Sequence, residues 1–232
     1  MIKNNMSNNF SNNKFKKLTA NDIWYAENAF YLRSSPDRII QLTNLYDIYK
    51  RIVKIKGDII ECGVFKGVSL TKIMTFRKFL DQNIDRKVYG FDVFGKFPRP
   101  HLAKDKIFLK SWEKTAGDGI DIKELKKYLK KKKFKNFKLI KGDVTKTIPS
   151  FIKKNENLKI ALLHLDMDVY EGTKCAFEYL AGKVVKNGII LIDDYKVVHG
   201  ATKATKEYLK KNSKLKIEKV KFYKKPSFIV KN

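Results

Sequence analysis

Five short apolar runs recur along this chain with a helical pattern between most neighbours, and that alternation limits its fold more than any other feature. The runs are DIIECGV (58–64), KVYGFDVF (87–94), FKLIKGD (137–143), KIALLHLDMD (159–168) and GIILIDD (188–194). SLTKIMTFRKFLDQ (69–82) follows the first run. TKTIPSFIKK, YEGTKCAFEYLAG and GATKATKEYLKK follow the last three, each with apolar residues at helical spacing. Strands that alternate with helices imply right-handed crossovers and a mainly parallel sheet covered on both faces. Before the first run, residues 20–55 are expected to be helical, since Leu42, Leu45, Ile48, Tyr49 and Ile52 recur at three- and four-residue spacing. After the last run, KLKIEKVKF and SFIVK, joined by YKKP, predict a terminal hairpin and bring the expected strand count to seven. Residues 95–135 are too long for an ordinary connection and are expected to form a lid or substrate-facing insertion.

With 232 residues and 43% hydrophobic composition the chain can bury a proper core, and residues 19–232 read as one domain. Residues 1–18, rich in Asn, Ser and Lys, are expected to be a disordered tail. That segment has no apolar stretch of the kind a secretory signal carries, and no run of about 18 uncharged apolar residues predicts a membrane span. Cys62 and Cys175 sit in apolar patterns and fit reduced, buried thiols, so a cytoplasmic protein is expected. The formal net charge of +27 invites a nucleic-acid reading, yet only six of the 51 basic residues are Arg, the type that phosphate and base recognition favours. The densest run, 123–138, keeps Leu125, Tyr128 and Leu129 at helical spacing. It is either a solvated helix face or a surface that attracts an anionic ligand.

Ligands in such sheets bind outside the carboxyl ends of the strands. Here nearly every apolar run ends in an acid: Glu61, Asp92, Asp143, Asp166 with Asp168, and Asp193 with Asp194. Each acid alone could simply cap a following helix; as a set on one rim they call for another explanation. The first turn, E61-C-G63-V-F-K-G67-V-S69, lacks the GxGxxG fingerprint, but its two glycines let backbone approach a ligand and Ser69 can present a hydroxyl. Asp92 is suited to ribose hydroxyls and Asp143 to an adenine amino group. Asp166, Asp193 and Asp194 bring three carboxylates to two strand ends, a hard oxygen set that suits Mg²⁺. His164, within a run, reads as a core or supporting histidine.

In order, GDIIECGVFKGVS, YGFDVFGKFP, KGDVTKTIP, LLHLDMDVYEGT and GIILIDDYKVVHGATKA resemble the successive motifs of the macrocin O-methyltransferase family. The resemblance implies a Rossmann-like class I methyltransferase fold with an antiparallel final strand. It also implies S-adenosylmethionine and Mg²⁺ as cofactors, and a sugar hydroxyl as acceptor, nucleotide-linked, lipid-linked or in a glycan. Carried over residue by residue, it assigns cofactor contacts to Glu61, Gly63, Ser69, Asp92 and Asp143. The metal falls to Asp166, Asp193 and Asp194, with Asp166 also a candidate base. It further implies a homo-oligomer, for which the stripe at 40–52 offers an interface. The chain departs from the family pattern at Val93, Gly95-Lys96, Gly172 (usually Ser) and Asn187 (usually Gly).

Three other readings rank lower. A catechol-type metal-dependent O-methyltransferase typically shows Asp-Asn where Asp193-Asp194 stand. An RNA methyltransferase acting on a base usually carries a motif such as Asn-Pro-Pro-Tyr where Asp-Met-Asp-Val stands. A non-enzymatic anion- or nucleic-acid-binding module would rest on the lysine surface alone.

Overall fold

The computed structural model describes residues 18–81, 85–223 and 225–232. Of the expected tail only Leu18 falls among them. Helix α1 (Ala20–Arg33) opens on a capping box between Thr19 and Asp22, and α2 (Pro36–Ile52) starts on Pro36, whose missing N–H costs nothing at a first helical position. Then follow β1 (Asp58–Cys62), α3 (Val68–Leu80), β2 (Val88–Asp92), α4 (Ala103–Ala116), α5 (Ile122–Lys131), β3 (Phe137–Lys141) and α6 (Val144–Lys154). Next come β4 (Ile160–Leu165), α7 (Tyr170–Leu180), β5 (Val184–Ile192), α8 (His199–Lys211) and β6 (Ser227–Val230).

Among the described residues six strands form one sheet in the order β3-β2-β1-β4-β5-β6, all parallel except β6. The chain moves outward from β1 to β2 and β3, then returns to place β4 on the other side of β1. The switch point therefore lies between β1 and β4, where a ligand crevice is expected. One face of the sheet is covered by α2, α3 and α5 through Leu45, Ile48, Tyr49, Leu70, Ile73 and Leu129. The other is covered by α6, α7 and α8 through Ile148, Phe151, Ala176, Phe177, Leu180 and Ala204.

The expected count of seven strands is corrected to six. In the 214–222 run, Leu215 and Ile217 alternate at period two, but the next apolar residues are Val220 and Phe222, so the alternation slips by one between them. A one-residue slip sends side chains to the opposite face of a sheet. Leu215 and Ile217 accordingly pack with the α6–α8 layer while Val220 joins the α2–α3 layer, and the segment meets β6 only at a Glu218–Phe228 bridge. The stripe at 40–52 is also reassigned. Leu45, Ile48, Tyr49 and Ile52 are buried in the core and cannot serve as an interface. The segment 95–135 divides: α5 buries Leu125 and Leu129 in the core and is an ordinary crossover helix, so only the part before it leaves the sheet. Asn187, where the family usually has Gly, takes φ +62, a left-handed position that Asn tolerates better than most residues.

A buried ion pair ties the amino-terminal helices to the sheet. Arg86 pairs with Asp81, the C-cap residue of α3, both side chains essentially without exposure. Arg86 also donates to the carbonyls of Ile52 (3.1 Å), at the end of α2, and of Ile55 (2.7 Å) and Gly57 (2.9 Å), in the turn that leads to β1. The Tyr49 hydroxyl donates to Asp81 at 3.2 Å, and its ionisation is pushed far up by burial and by the Asp81 charge. Removing one partner of such a pair strands the other charge. Arg86→Ala should lower unfolding stability by about 3–5 kcal/mol in urea titration, well beyond the loss expected from packing at a surface site.

Candidate active site

Strand register assembles the site. Leu165 is paired with Ile192, and the Asp193 N–H donates to the Leu165 carbonyl at 3.0 Å, so the residues just past β4 and β5 are neighbours. On the other side the Asp166 N–H donates to the Cys62 carbonyl at 2.9 Å. Carboxylate oxygens of Asp166, Asp193 and Asp194 thereby come within 4.8 Å of one another. They line a cavity of about 980 Å³ at the switch point. Gly63 makes this approach possible: with φ +92, a Cβ there would stand 1.7 Å from the Asp166 carbonyl oxygen.

The electrostatics match the crowding. Burial, then the charges of Asp193 and Asp194, hold the Asp166 carboxyl well above the usual carboxylate range. Asp194 is raised in the same way by burial, Asp168 and Asp193, and its buried Oδ2 has no hydrogen-bond partner. Asp168, in a left-handed turn at φ +61, is pushed up to about 6 by burial and Asp193. An oxygen-only donor set with an orphaned buried oxygen is the chemistry a divalent cation satisfies.

Each expected site residue can now be placed. Gly63, Ser69, Asp92, Asp143, Asp166, Asp193 and Asp194 all line the cavity. Glu61 is not among the lining residues. It is fully buried within β1, level with His164 on β4, and its Oε1 lies 3.2 Å from His164 Nδ1. Burial alone would push His164 down, but the Glu61 hydrogen bond and charge, with Asp193, outweigh it and raise it. Glu61 and His164 thus form a buried pair of which only His164 reaches the cavity lining, and Glu61 can act on a ligand only through its neighbours.

Asp92 and Asp143 each combine a structural and a site role. Asp92 Oδ2 accepts from the Val64 and Phe65 N–H groups, both at 2.8 Å, and Oδ1 accepts from Phe94 N–H at 2.6 Å. A carboxylate oxygen takes about two such bonds, so Oδ1 keeps capacity for one hydroxyl. Asp143 caps α6 through Oδ1, which accepts from Thr145 N–H at 2.9 Å and Thr145 Oγ1 at 2.7 Å.

Sequence reasoning missed three contributors. Asp168, on the rim in sequence, is electrically part of the acid cluster. Lys72 and Arg38 also line the cavity, and Lys72 is held below its usual range by burial and Arg38 against the pull of Asp193. An aromatic wall from Phe65, Phe108 and Trp112 forms only in three dimensions.

A profile of the macrocin O-methyltransferase family matches residues 35–222. The chain belongs to that family. The shared fold extends to solved O-methyltransferases. The calicheamicin methyltransferase CalS11 superposes with a TM-score of 0.73 at 20% identity, over 91% of this chain and 86% of that one. Its apo form, described as a TDP-rhamnose 3'-O-methyltransferase, gives 0.65 at 21% identity, over 91% and 88%. The O-methyltransferase NovP gives 0.71 at 20% identity, over 82% and 79%. No curated protein matches the sequence. No helix among the described residues is long and apolar enough to cross a membrane.

The raised ionisation of Asp168 has a measurable consequence. A carboxyl whose folded value lies near 6, against an ordinary 3.8, contributes stability that is full below 3.8 and lost as pH rises through 6. Asp168→Asn removes that dependence while keeping a residue that accepts left-handed backbone. Without divalent cations, the variant should overtake wild type by roughly 1–2 kcal/mol as pH goes from 5 to 7, measured by paired denaturant titrations.

Proposed function

We propose that this protein is an S-adenosylmethionine-dependent O-methyltransferase that methylates a sugar hydroxyl with the help of Mg²⁺. The observation that carries the reading is the convergence of Asp166, Asp193 and Asp194 on the cavity that the first turn, Asp92 and Asp143 also line. The methyl donor would be held by the turn at Gly63 and Ser69, by the spare capacity of Asp92 Oδ1 for a ribose hydroxyl, and by Asp143 toward adenine. The metal would be held by Asp166, Asp193 and Asp194. When bound, it would lower the pKa of an acceptor hydroxyl and orient it.

The chain's own residues supply the rest. Asp166 lines the cavity directly after β4, beside Asp193 and Asp194, and is the carboxylate placed to take the hydroxyl proton. Glu61 and His164 fix the floor beneath it. Phe65, Phe108 and Trp112 give the cavity an apolar wall that excludes water and can stack on a sugar ring. The part of the chain between β2 and α5 acts as a lid in this reading, and the enzyme works in the cytoplasm. Self-association is retained, without residues 40–52 as its surface.

Two measurements test this. Isothermal titration should detect S-adenosylmethionine binding, and none at millimolar ligand would end the reading. Mg²⁺ at about a hundred times its dissociation constant should stabilise wild type by about 2.7 kcal/mol through binding to the native state alone. Asp194→Asn should gain far less and lose Mg²⁺-dependent activity. Equal responses of the two proteins would reduce the carboxylate pair to a polar loop start.

A further inference from the structure

After β2 the chain leaves the sheet and returns to the same point, where Gly119 N–H donates to the Gly95 carbonyl at 3.0 Å. Residues 96–118 are thus an excursion closed at its base by two glycines. Within it, α4 turns one face inward, with Asp105, Phe108, Leu109 and Trp112 at helical spacing. Phe108 and Trp112 stack at 6.2 Å between ring centroids, Trp112 meets Phe65 of the first turn at 5.8 Å, and all three rings line the cavity.

Asp105 is the anomaly on that face. It is 0% exposed, a carboxylate on an apolar stripe. Its Oδ2 accepts from the backbone N–H of Tyr170, the first residue of α7, at 2.9 Å, while Oδ1 is buried without a partner. It also abuts the first turn of α8: a Cβ on Gly200 would stand 2.0 Å from Asp105 Oδ2. The reason for a carboxylate lies in α7 and α8 themselves. Their N-cap residues are Val169 and Val198, neither of which provides a side-chain cap. The first turn of a helix needs an acceptor and favours negative charge. Asp105 brings both from a distant part of the chain. A second tie runs the other way, with Glu171 of α7 accepting from His101 N–H at 3.0 Å.

We propose that Asp105 is the latch of a lid. Its carboxylate docks α4 onto the first turns of α7 and α8, setting the Phe108–Trp112 wall across the cavity, and residues 96–118 swing on the Gly95–Gly119 base when it lets go. Asp105 is a positioning residue, since it does not line the cavity. A leucine there would fill the space and leave the lid shut, with the Tyr170 N–H unpaired. A carboxylate must shed water to dock and regains it on release, which keeps the docked and open states close in free energy. Both anchored helices begin just past the acid loops, after Asp166 and Asp168 and after Asp193 and Asp194, so lid and acids share one support. What the lid covers rests on the methyl-transfer reading; the docking itself does not.

Trp24 and Trp112 are the chain's two tryptophans, so in a Trp24→Phe background fluorescence excited selectively at tryptophan reports on the lid alone. Adding Asp105→Ala should shift Trp112 emission to longer wavelength and raise its quenching by acrylamide several-fold, with the far-ultraviolet dichroism of the fold retained. The docked population should fall about ten- to hundredfold, as expected for loss of a buried charged acceptor. Asp105→Asn, which keeps an acceptor oxygen, should recover most of the docked signal. In the active enzyme, Asp105→Ala should raise KM for the acceptor by a larger factor than it lowers kcat. Unchanged Trp112 fluorescence in Asp105→Ala would overturn the proposal. So would loss of the entire fold, which would make Asp105 a core support, or an Asn variant no better than Ala. No donor, acceptor or metal enters the fluorescence assay, so failure of the methyl-transfer reading would appear separately, as absent S-adenosylmethionine binding with the lid response intact.

Discussion

The backbone ladder joining β1, β4 and β5 is the constraint on which the site depends. It sets the ends of three buried strands side by side, and the residues that follow them have nowhere else to go. In this sequence the residues that follow β4 and β5 are the acids Asp166, Asp193 and Asp194, and the one that follows β1 is Gly63, which leaves them room. Two unit charges about 4 Å apart repel by about 4 kcal/mol at an effective dielectric of 20, so the cluster is a standing cost in the metal-free protein. The ladder can hold it because β4 is buried along its whole length and the last five residues of β5 are buried too. Each buried aliphatic side chain contributes roughly 1.5–3 kcal/mol, and the sheet has many of them. The protein answers part of the repulsion by keeping protons on Asp166 and Asp194 more tightly than exposed acids would.

Most of the architecture was legible in the sequence because it is written in local periodicity. Each of the five apolar runs contains a strand of the sheet, and the helical patterns between them are helices. The misreading at 214–222 was also local. The slip between Ile217 and Val220 was there to be seen, and a strict test of period two would have withheld a strand from that run. The length of 95–135 signalled an excursion but not its bounds, since only packing shows that Leu125 and Leu129 of α5 belong to the core.

The site was legible at the level of strand ends and opaque at the level of side-chain direction. An acid that closes an apolar run can face the crevice, cap the next helix or turn beneath the floor. Asp143 does the first two at once, so the capping and binding readings were never exclusive. Glu61 shows the third outcome: its level with His164 across the β1–β4 ladder directs it into the core, a relation between residues 103 apart in the chain. Asp105 was the least legible, because its partners are the uncapped starts of α7 and α8. A hint did exist. An acid three and four residues before Phe108 and Leu109 falls on the apolar stripe of its own helix, and Val at two successive N-caps leaves acceptors to be found elsewhere.

The acid cluster sits within a chain of net charge +27, and this contrast bears on how the site could be filled. A uniformly positive field would favour ionised carboxylates, yet Asp166, Asp168 and Asp194 are all shifted the other way. Their surroundings must therefore be governed by burial and by each other, over distances shorter than the roughly 8 Å on which salt screens exposed charges. The lysines of α5 lie on its exposed face, opposite the leucines that enter the core, and they offset the acids only weakly from there. At long range the surface repels a divalent cation and attracts an anion. Close in, the cavity does the reverse at its acid wall, although Arg38 and Lys72 line it too and Lys72 feels the charge of Asp193. A cation would be captured by local geometry with no help from steering, and at a slower rate than a neutral surface would allow. An anionic partner would be drawn to the protein quickly and would meet in the cavity both the cations Arg38 and Lys72 and the carboxylates.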